Sequence, residues 1–429
     1  MSAAGQILRS GRRTVGRTMR REARRLLIRH ARARPREADL RGADKRVYIM
    51  LTTAFGMGGT IRATLNLAGY LAADWEVEII SLGRTRNRPF FGSFPAGVRV
   101  SALEDRRSGA RESRGRRTLH RVLSRRASVL MHPSDRTARA ASLWLDVQIA
   151  RKLRRKAGFL ITTRPGLNLM AADLRPPGLL TIGQEHMHFG RHSQPLRRSM
   201  AAEYGNLDAL VVLTDADRRT YEKHLGAGAN VVRIPNTMRP IGGPRSDLSQ
   251  RTVLAIGRLS PQKGYDLLLE AWAQVSAQRP DWRLRICGRG PARDQLVALV
   301  RDHGLSGTVS LEGPVRDVGA TMAKASIFAL SSRFEGLPLV LLEAMAQGMA
   351  VVSFDCPTGP GDVVVDRRNG LLIPPKDVEA LGAGMLALIE DEDLRRCCAV
   401  GAVETAREYS MDSVGPQWEA LLQRFAPSA

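Results

Sequence analysis

The sequence predicts an α/β protein of two doubly wound domains, and three observations carry that prediction. Its 429 residues exceed what one hydrophobic core usually holds. A strand-like run, Arg46–Thr52, leads into the loop Thr53–Thr60 with Gly56, Gly58 and Gly59, then a helical stretch from Ile61 to about Ala73 and a second strand, Trp75–Leu82. Strand, glycine loop, helix and strand open a βαβ unit. The same alternation starts afresh at Thr252 and continues through Ala350–Pro357 and Gly370–Pro375.

The chain is strongly basic, with a net charge of +24, but the charge is concentrated. Residues 1–35 hold 11 arginines against the single acid Glu22, and residues 106–156 hold 16 Arg or Lys against Glu112, Asp135 and Asp146. The remainder is nearly neutral. Only 7 of the 66 basic residues are lysine, a bias that base composition can explain, although the clustering is not explained that way. No apolar run approaches the roughly 20 residues of a membrane span. The start of the chain has no apolar signal-peptide core. Cys287, Cys356, Cys397 and Cys398 show no CxxC spacing, which suits a reduced, cytoplasmic protein.

Residues 1–45 read as a basic extension. Leu8, Val15, Met19 and Leu26 fall within about 40° of one another on a helix, with arginine over most of the rest. Such a helix suits an anionic membrane surface; a solvated tail or an organellar transit peptide has the same composition. The first domain spans 46–240. Its basic insertion, 104–156, ends in a helix over Ser142–Lys156 and presents either a lipid- or anion-facing surface or a solvated one. After the strand at Leu179, His186, His188 and His192 stand close together. Their i, i+2 spacing suits alternate faces of an extended chain rather than one metal-ligand set. Asp215-Ala-Asp217 has the form of a metal-binding DxD, but Thr214 is a natural N-cap with an acid three residues on, so this is a helix start. Residues 241–250, rich in Gly, Pro and Ser, form the linker.

The second domain, 251–410, carries the chemistry. A strand from Thr252 runs into Gly257-Arg258, and a polar loop reaches Lys263-Gly264. Two cations at a strand–helix junction suit a diphosphate, Arg by forked hydrogen bonds and Lys as a point charge; two exposed surface cations are the plainer alternative. The stretch SSRFEGLPLVLLEAMAQG, residues 331–348, follows a strand and opens a helix at Gly336-Leu337-Pro338, where proline is at home in the first turn. Glu335 stands beside unpaired helix N–H groups. Glu343 interrupts an otherwise apolar helix, where an unpaired charge is expensive. Dipole complementation by Glu335, with Glu343 reaching solvent, remains open on the spacing alone. Residues 411–429 form a last helix, with its helical run near Gln417–Phe425.

The segments FEGLPLVLLEAMAQGMAVV (334–352) and CPTGPGDVVVDRRNGLLIPP (356–375) resemble the donor-binding core of the retaining nucleotide-sugar glycosyltransferases of family 4. With the other motifs the resemblance covers about residues 46–410. It implies the GT-B fold, two Rossmann-like domains facing across a cleft, with the last helix crossing back to the first domain. It assigns donor binding to Gly58, Gly59, Arg258, Lys263, Glu335, Gly336, Leu337 and Glu343, the last to the ribose and Glu335 to the transferred sugar. His186, with His188 second, takes the histidine of the donor pocket, and the catalytic set becomes His186, Arg258, Lys263 and Glu335. The implied reaction is transfer, with retention, of a sugar from a UDP-sugar to an acceptor hydroxyl. The implied product is a cell-surface polysaccharide, a teichoic-acid-like polymer or a glycolipid. Neither metal nor cofactor is expected; the partners are the nucleotide sugar, a glycan or lipid-linked acceptor and an anionic membrane surface on the cytoplasmic side. The sequence departs from the commoner pattern at Asp362, where a glutamate is usual.

Three other classes compete. A GT-B nucleotide-sugar epimerase has this architecture without the paired glutamates around a GLP helix. A nucleic-acid-binding protein would share the charge, but aromatics are 5% of the chain and absent from residues 1–35, leaving no stacking platform. A silent scaffold would have no need of Arg258, Lys263, Glu335 and Glu343 together.

Overall fold

The computed structural model describes residues 18–107, 114–226, 228–238 and 241–425. The chain forms two compact units. One comprises the described residues up to Val212, Arg218–Arg233 and the chain from Trp418; the other comprises Leu213–Asp217 and Ile234–Gln417.

The first unit is a seven-stranded sheet in the order β3-β2-β1-β4-β5-β6-β7. Its strands are β1 (Arg46–Leu51), β2 (Glu76–Arg84), β3 (Arg99–Asp105), β4 (Gly158–Thr162), β5 (Leu179–Gln184), β6 (Ala209–Val212) and β7 (Val231–Arg233). Every pairing is parallel, with Val47 opposite Val77 on one side and Phe159 on the other. The central strands are buried along nearly their whole length, as sheets covered by helices on both faces require.

The second unit repeats the plan with six parallel strands in the order β10-β9-β8-β11-β12-β13. These are β8 (Thr252–Ile256), β9 (Arg283–Cys287), β10 (Val309–Glu312), β11 (Ile327–Leu330), β12 (Ala350–Phe354) and β13 (Leu371–Ile373). In both sheets the strand order reverses beside the first strand, between β1 and β4 and between β8 and β11. Ligands of open parallel sheets bind outside the carboxyl ends of the strands at such points.

Several expected elements differ in detail. Leu8 and Val15 lie outside the described residues. The helix over 18–31 packs Leu27, Ile28 and Ala31 against the core of the first unit, and Arg24 pairs with Asp173. Met19 and Leu26 are instead 61% and 64% exposed. The face that the sequence singles out as apolar is therefore the outer one, because the docking face is built from small and aliphatic residues half a turn away.

The second basic segment divides in the same way. Helix Leu143–Leu153 is a core helix: Trp144, Leu145, Ile149 and Leu153 are buried, and Ser142 caps it by accepting from Leu145 N–H. Its lysine, Lys152, pairs with Glu78, which also faces Lys156. Most of this helix faces the core rather than an anionic surface, and the exposed cations of the segment include Arg121, Arg125, Arg126 and Arg151. Residues 241–250 are held within the second unit, where Ser246 donates from its N–H to Gln347 O (2.8 Å) and from Oγ to Ala325 O (2.7 Å). The last helix spans Met411–Phe425 and includes Pro416. All four cysteines are unpaired.

Asp146 shows what the core demands of a buried charge. It is fully buried, and burial raises its pKa, opposed by hydrogen bonds from Ser128 Oγ and the N–H groups of Val129 and Leu130. Asp146→Ala strands these donors, and a buried unsatisfied polar group costs roughly 1–3 kcal/mol. We expect urea unfolding to show a destabilisation of about that size; an unchanged midpoint would mean the three donors find other partners.

Candidate active site

In the second unit the loops after β8 and β11 are pressed together. Gly264 has φ 64°, and a Cβ there would stand 2.0 Å from Ser331 O, so only glycine fits. Arg333 ties the same two loops, with its N–H on Gln262 O (2.8 Å) and its guanidinium forked onto Asp266 at 2.8 and 2.6 Å. Arg333 pulls the Asp266 carboxyl below its usual range. The consequence is a fixed meeting of two predicted site residues: Lys263 Nζ lies 2.6 Å from Glu335 Oε1, and Ser332 Oγ donates to the same oxygen at 2.6 Å. The backbone carbonyl of Glu335 accepts from Thr358 Oγ1 (2.7 Å).

The GLP helix begins later than the sequence suggests, at Leu339, with Pro338 in the cap position. Gly336 and Leu337 thus form a bend before the helix rather than its first turn, and Gly359 packs on them: at φ 96° its Cβ would be 1.8 Å from Gly336 O. Among the described residues, the N–H groups of Gly336 and Leu337 donate to no protein acceptor. Leu341, Leu342, Ala344 and Met345 bury this helix, whereas Glu343 is only half-buried. Arg258 is exposed after β8, with no ion-pair partner among the described residues.

Asp362 is placed by its reach. Its Oδ1 accepts from the N–H groups of Asp215 (3.1 Å) and Ala216 (3.4 Å), so the shorter acid serves as a helix cap. Thr214 Oγ1 accepts from Asp217 N–H and donates to Asp217 Oδ2, each at 3.0 Å. The DxD is the start of helix Asp215–Leu225.

The first unit gathers a second group at the carboxyl ends of β4 and β5. A pocket of about 200 Å³ is lined there by Thr60, Asp135, Arg136, Arg164, Glu185, His186, Arg191 and His192, among others. It brings His186 beside the residue that follows Gly58 and Gly59, where added Cβ atoms would meet nothing within 4 Å. His188 is not part of the lining. It is the cap of the short turn Phe189–Arg191.

Glu185 is the residue that the histidine-centred reading passed over. It is 2% exposed and accepts from Tyr204 Oη and from Asn168 Nδ2 (2.8 Å). Burial pushes its carboxyl up to about 8 against those two hydrogen bonds. Burial also lowers His186 to about 3, with Arg164 adding to the effect, and lowers His192 to about 4. Both rings are neutral near pH 7. The only hint of Glu185 in the sequence is a carboxylate directly before the chosen histidine. Among the described residues no group of three His, Cys, Asp or Glu is placed to hold a metal ion.

Two parallel sheets wound in this order, with strand-end loops bearing cations and a glutamate before a buried helix, define a GT-B glycosyltransferase fold. Residues 243–403 match the family described as glycosyl transferases group 1. The chain is 37% identical over 387 residues to an exopolysaccharide phosphotransferase of Streptomyces coelicolor, covering 88% of this chain and 40% of that protein. The chain thus spans less than half the length of that relative. It is 29% identical to an uncharacterized glycosyltransferase of Haemophilus influenzae, over 88% of this chain and the whole of the other. Among solved structures, S. aureus TarM, as a mutant in complex with fondaparinux, α-GlcNAc-glycerol and UDP, superposes with a TM-score of 0.70 at 16% identity. That match covers 88% of this chain and 99% of TarM.

The Glu185 carboxyl supplies a pH test. Burial pushes its folded pKa to about 8, above the 4.5 of a free glutamate, so the folded state holds a proton the unfolded chain releases. The stability this contributes is complete below about pH 4.5 and is lost as pH rises toward and through 8. Glu185→Gln keeps an acceptor for Tyr204 and removes the titration. The unfolding free energy of the variant should fall less than wild type between pH 5 and about 8.5 in denaturant titrations. Parallel curves would show that Glu185 is ionised in the folded protein.

Proposed function

We propose that the protein is a retaining glycosyltransferase that moves a sugar from a nucleotide-diphosphate donor, a UDP-sugar, to an acceptor hydroxyl in the synthesis of an envelope polysaccharide, a teichoic-acid-like polymer or a glycolipid. The observation that carries this reading is the convergence, beside the switch point of the second sheet, of Lys263, Glu335 and two unused N–H groups at Gly336 and Leu337. Arg258 leaves the neighbouring strand end. In the reaction, the bond from the sugar C1 to the diphosphate oxygen breaks and its electron pair stays with the diphosphate. The acceptor oxygen bonds C1 on the same face, and its proton passes to the departing phosphate.

The developing charge is what Lys263, Arg258 and the N–H pair would stabilise. Two cations already serve the leaving group, so the reading routes no step through a metal. Glu335, oriented by Lys263 and Ser332, would accept hydroxyls of the transferred sugar, and Glu343 those of the ribose. In the first unit, Gly58 and Gly59 leave open backbone for a phosphate, and neutral His186 offers a hydrogen bond to the sugar. Relatives that include an exopolysaccharide phosphotransferase, and the UDP bound to TarM, favour this substrate class.

Thermal unfolding against UDP, GDP, ADP, dTDP and their sugar conjugates tests the donor site, since a ligand of the folded state raises Tm by mass action. We expect one base to stabilise with or without EDTA. Lys263→Ala should lose that shift, and Glu335→Gln should keep nucleotide binding while losing about 100-fold or more in transfer rate. Absence of stabilisation by every nucleotide would defeat the reading.

A cytoplasmic, membrane-surface location forms part of the proposal. Among the described residues no helix is long and apolar enough to cross a membrane. Met19 and Leu26, and Leu119 and Val122 on helix Arg114–Ser124, are exposed apolar side chains in arginine-rich helices, the composition of interfacial binding. Co-sedimentation with vesicles containing anionic lipid should exceed that with neutral vesicles and drop several-fold in Leu119→Asp/Val122→Asp. Equal binding to both vesicle types would refute surface attachment through these helices.

A further inference from the structure

The pocket of the first unit has a character that sugar binding alone does not require. Helices Gly59–Leu71, Pro165–Leu174 and Gln194–Glu203 all begin at its wall, through Thr60, Arg164-Pro165 and Ser193. None of the three has a side-chain cap. Helix N-termini favour negative charge; that of Pro165–Leu174 is partly used already, since Asp135 accepts from Gly166 N–H. Arg136, Arg164 and Arg191 stand over the same space, and the guanidinium groups of Arg136 and Arg164 have no hydrogen-bond or ion-pair partner among the described residues. One acid opposes them. Asp135 is already engaged, with Oδ1 accepting from Thr137 N–H (2.7 Å) and Oδ2 from Gly166 N–H (3.3 Å).

The floor of the pocket is polar and incomplete. Glu185 Oε2 and His192 Nε2 are buried atoms without a hydrogen bond, 3.7 Å apart, on residues 2% and 9% exposed. The other carboxyl oxygen, Oε1, already accepts from Tyr204 and Asn168. With Oε1 so engaged, Oε2 is the carboxyl oxygen left to carry the proton that burial favours, 3.7 Å from His192 Nε2. The lining thus carries three cations, one satisfied carboxylate and two buried polar atoms in want of a partner, a set that suits a tetrahedral oxyanion.

We propose that this pocket is an anion subsite that takes a phosphate group carried by the acceptor. The identification of its owner as the acceptor rests on the glycosyltransferase reading, in which the donor's diphosphate belongs to Arg258 and Lys263 of the second unit. A phosphate held here lies beside His186, so it would fix a phosphorylated polyol, sugar or lipid acceptor at that histidine.

Phosphorus NMR titration of inorganic phosphate into the full-length protein, with and without saturating UDP, tests the assignment. Phosphate should bind the UDP-loaded wild type and should weaken about tenfold or more in Arg164→Gln. Arg136→Gln, at an exposed position that does not endanger folding, should weaken it as well. Lys263→Ala should lose UDP and keep phosphate. The proposal is overturned if phosphate fails to bind, if UDP displaces it, or if Lys263→Ala abolishes it while both arginine variants bind normally, since the anion would then occupy the diphosphate site. Failure of the donor reading would register separately, as no UDP binding in any protein.

Discussion

Parallel strands that all run the same way deliver every strand-to-helix loop of a sheet to one edge. In the second unit that constraint is tightened until backbone meets backbone, with no room for a Cβ at Gly264 over Ser331 O or at Gly359 over Gly336 O. Lys263 and Glu335, 72 positions apart in the chain, meet because their loops are locked by these contacts and by the Arg333–Asp266 fork. The chemistry depends on that locking. A flexible lysine on a free loop would lose side-chain entropy each time it bound a phosphate, whereas here it is already held.

The two units apply one architecture to different electrostatic ends. The second unit presents cations and unused N–H groups around a carboxylate, an arrangement suited to a leaving diphosphate and a sugar. In the first, burial leaves a carboxyl and two imidazoles uncharged beneath arginines and helix N-termini. Neutral groups that still donate hydrogen bonds, set among fixed positive charge, hold an anion without adding repulsion. The division explains why the net charge, large as it is, says little about the catalytic body.

Much of the fold was legible because its signals are local. Alternation of strand, glycine loop and helix marks both sheets, and Thr214 with Asp217 betrays a helix start against the competing DxD interpretation. The paired glutamates, Lys263 and Arg258 could be singled out because their spacing from strands is short. Three features were not legible. The outward turn of Met19 and Leu26 depends on Leu27, Ile28 and Ala31 finding the core, which a helical wheel cannot rank. Helix Leu143–Leu153 looked basic because its charged residues cluster at its end, while its first turns are core. Glu185 was hidden because its burial, its protonation and its partners Asn168 and Tyr204 are tertiary facts; only its place beside His186 was written in the chain.

The account stands or falls on a nucleotide diphosphate seated between the loops after β8 and β11. Amide hydrogen exchange with and without UDP reads those loops directly, because the N–H groups of Gly336 and Leu337 have no protein acceptor among the described residues. Protection on binding that is concentrated in residues 257–264 and 331–338 is the predicted result. Exchange unchanged in both stretches, with protection elsewhere or nowhere, would contradict it.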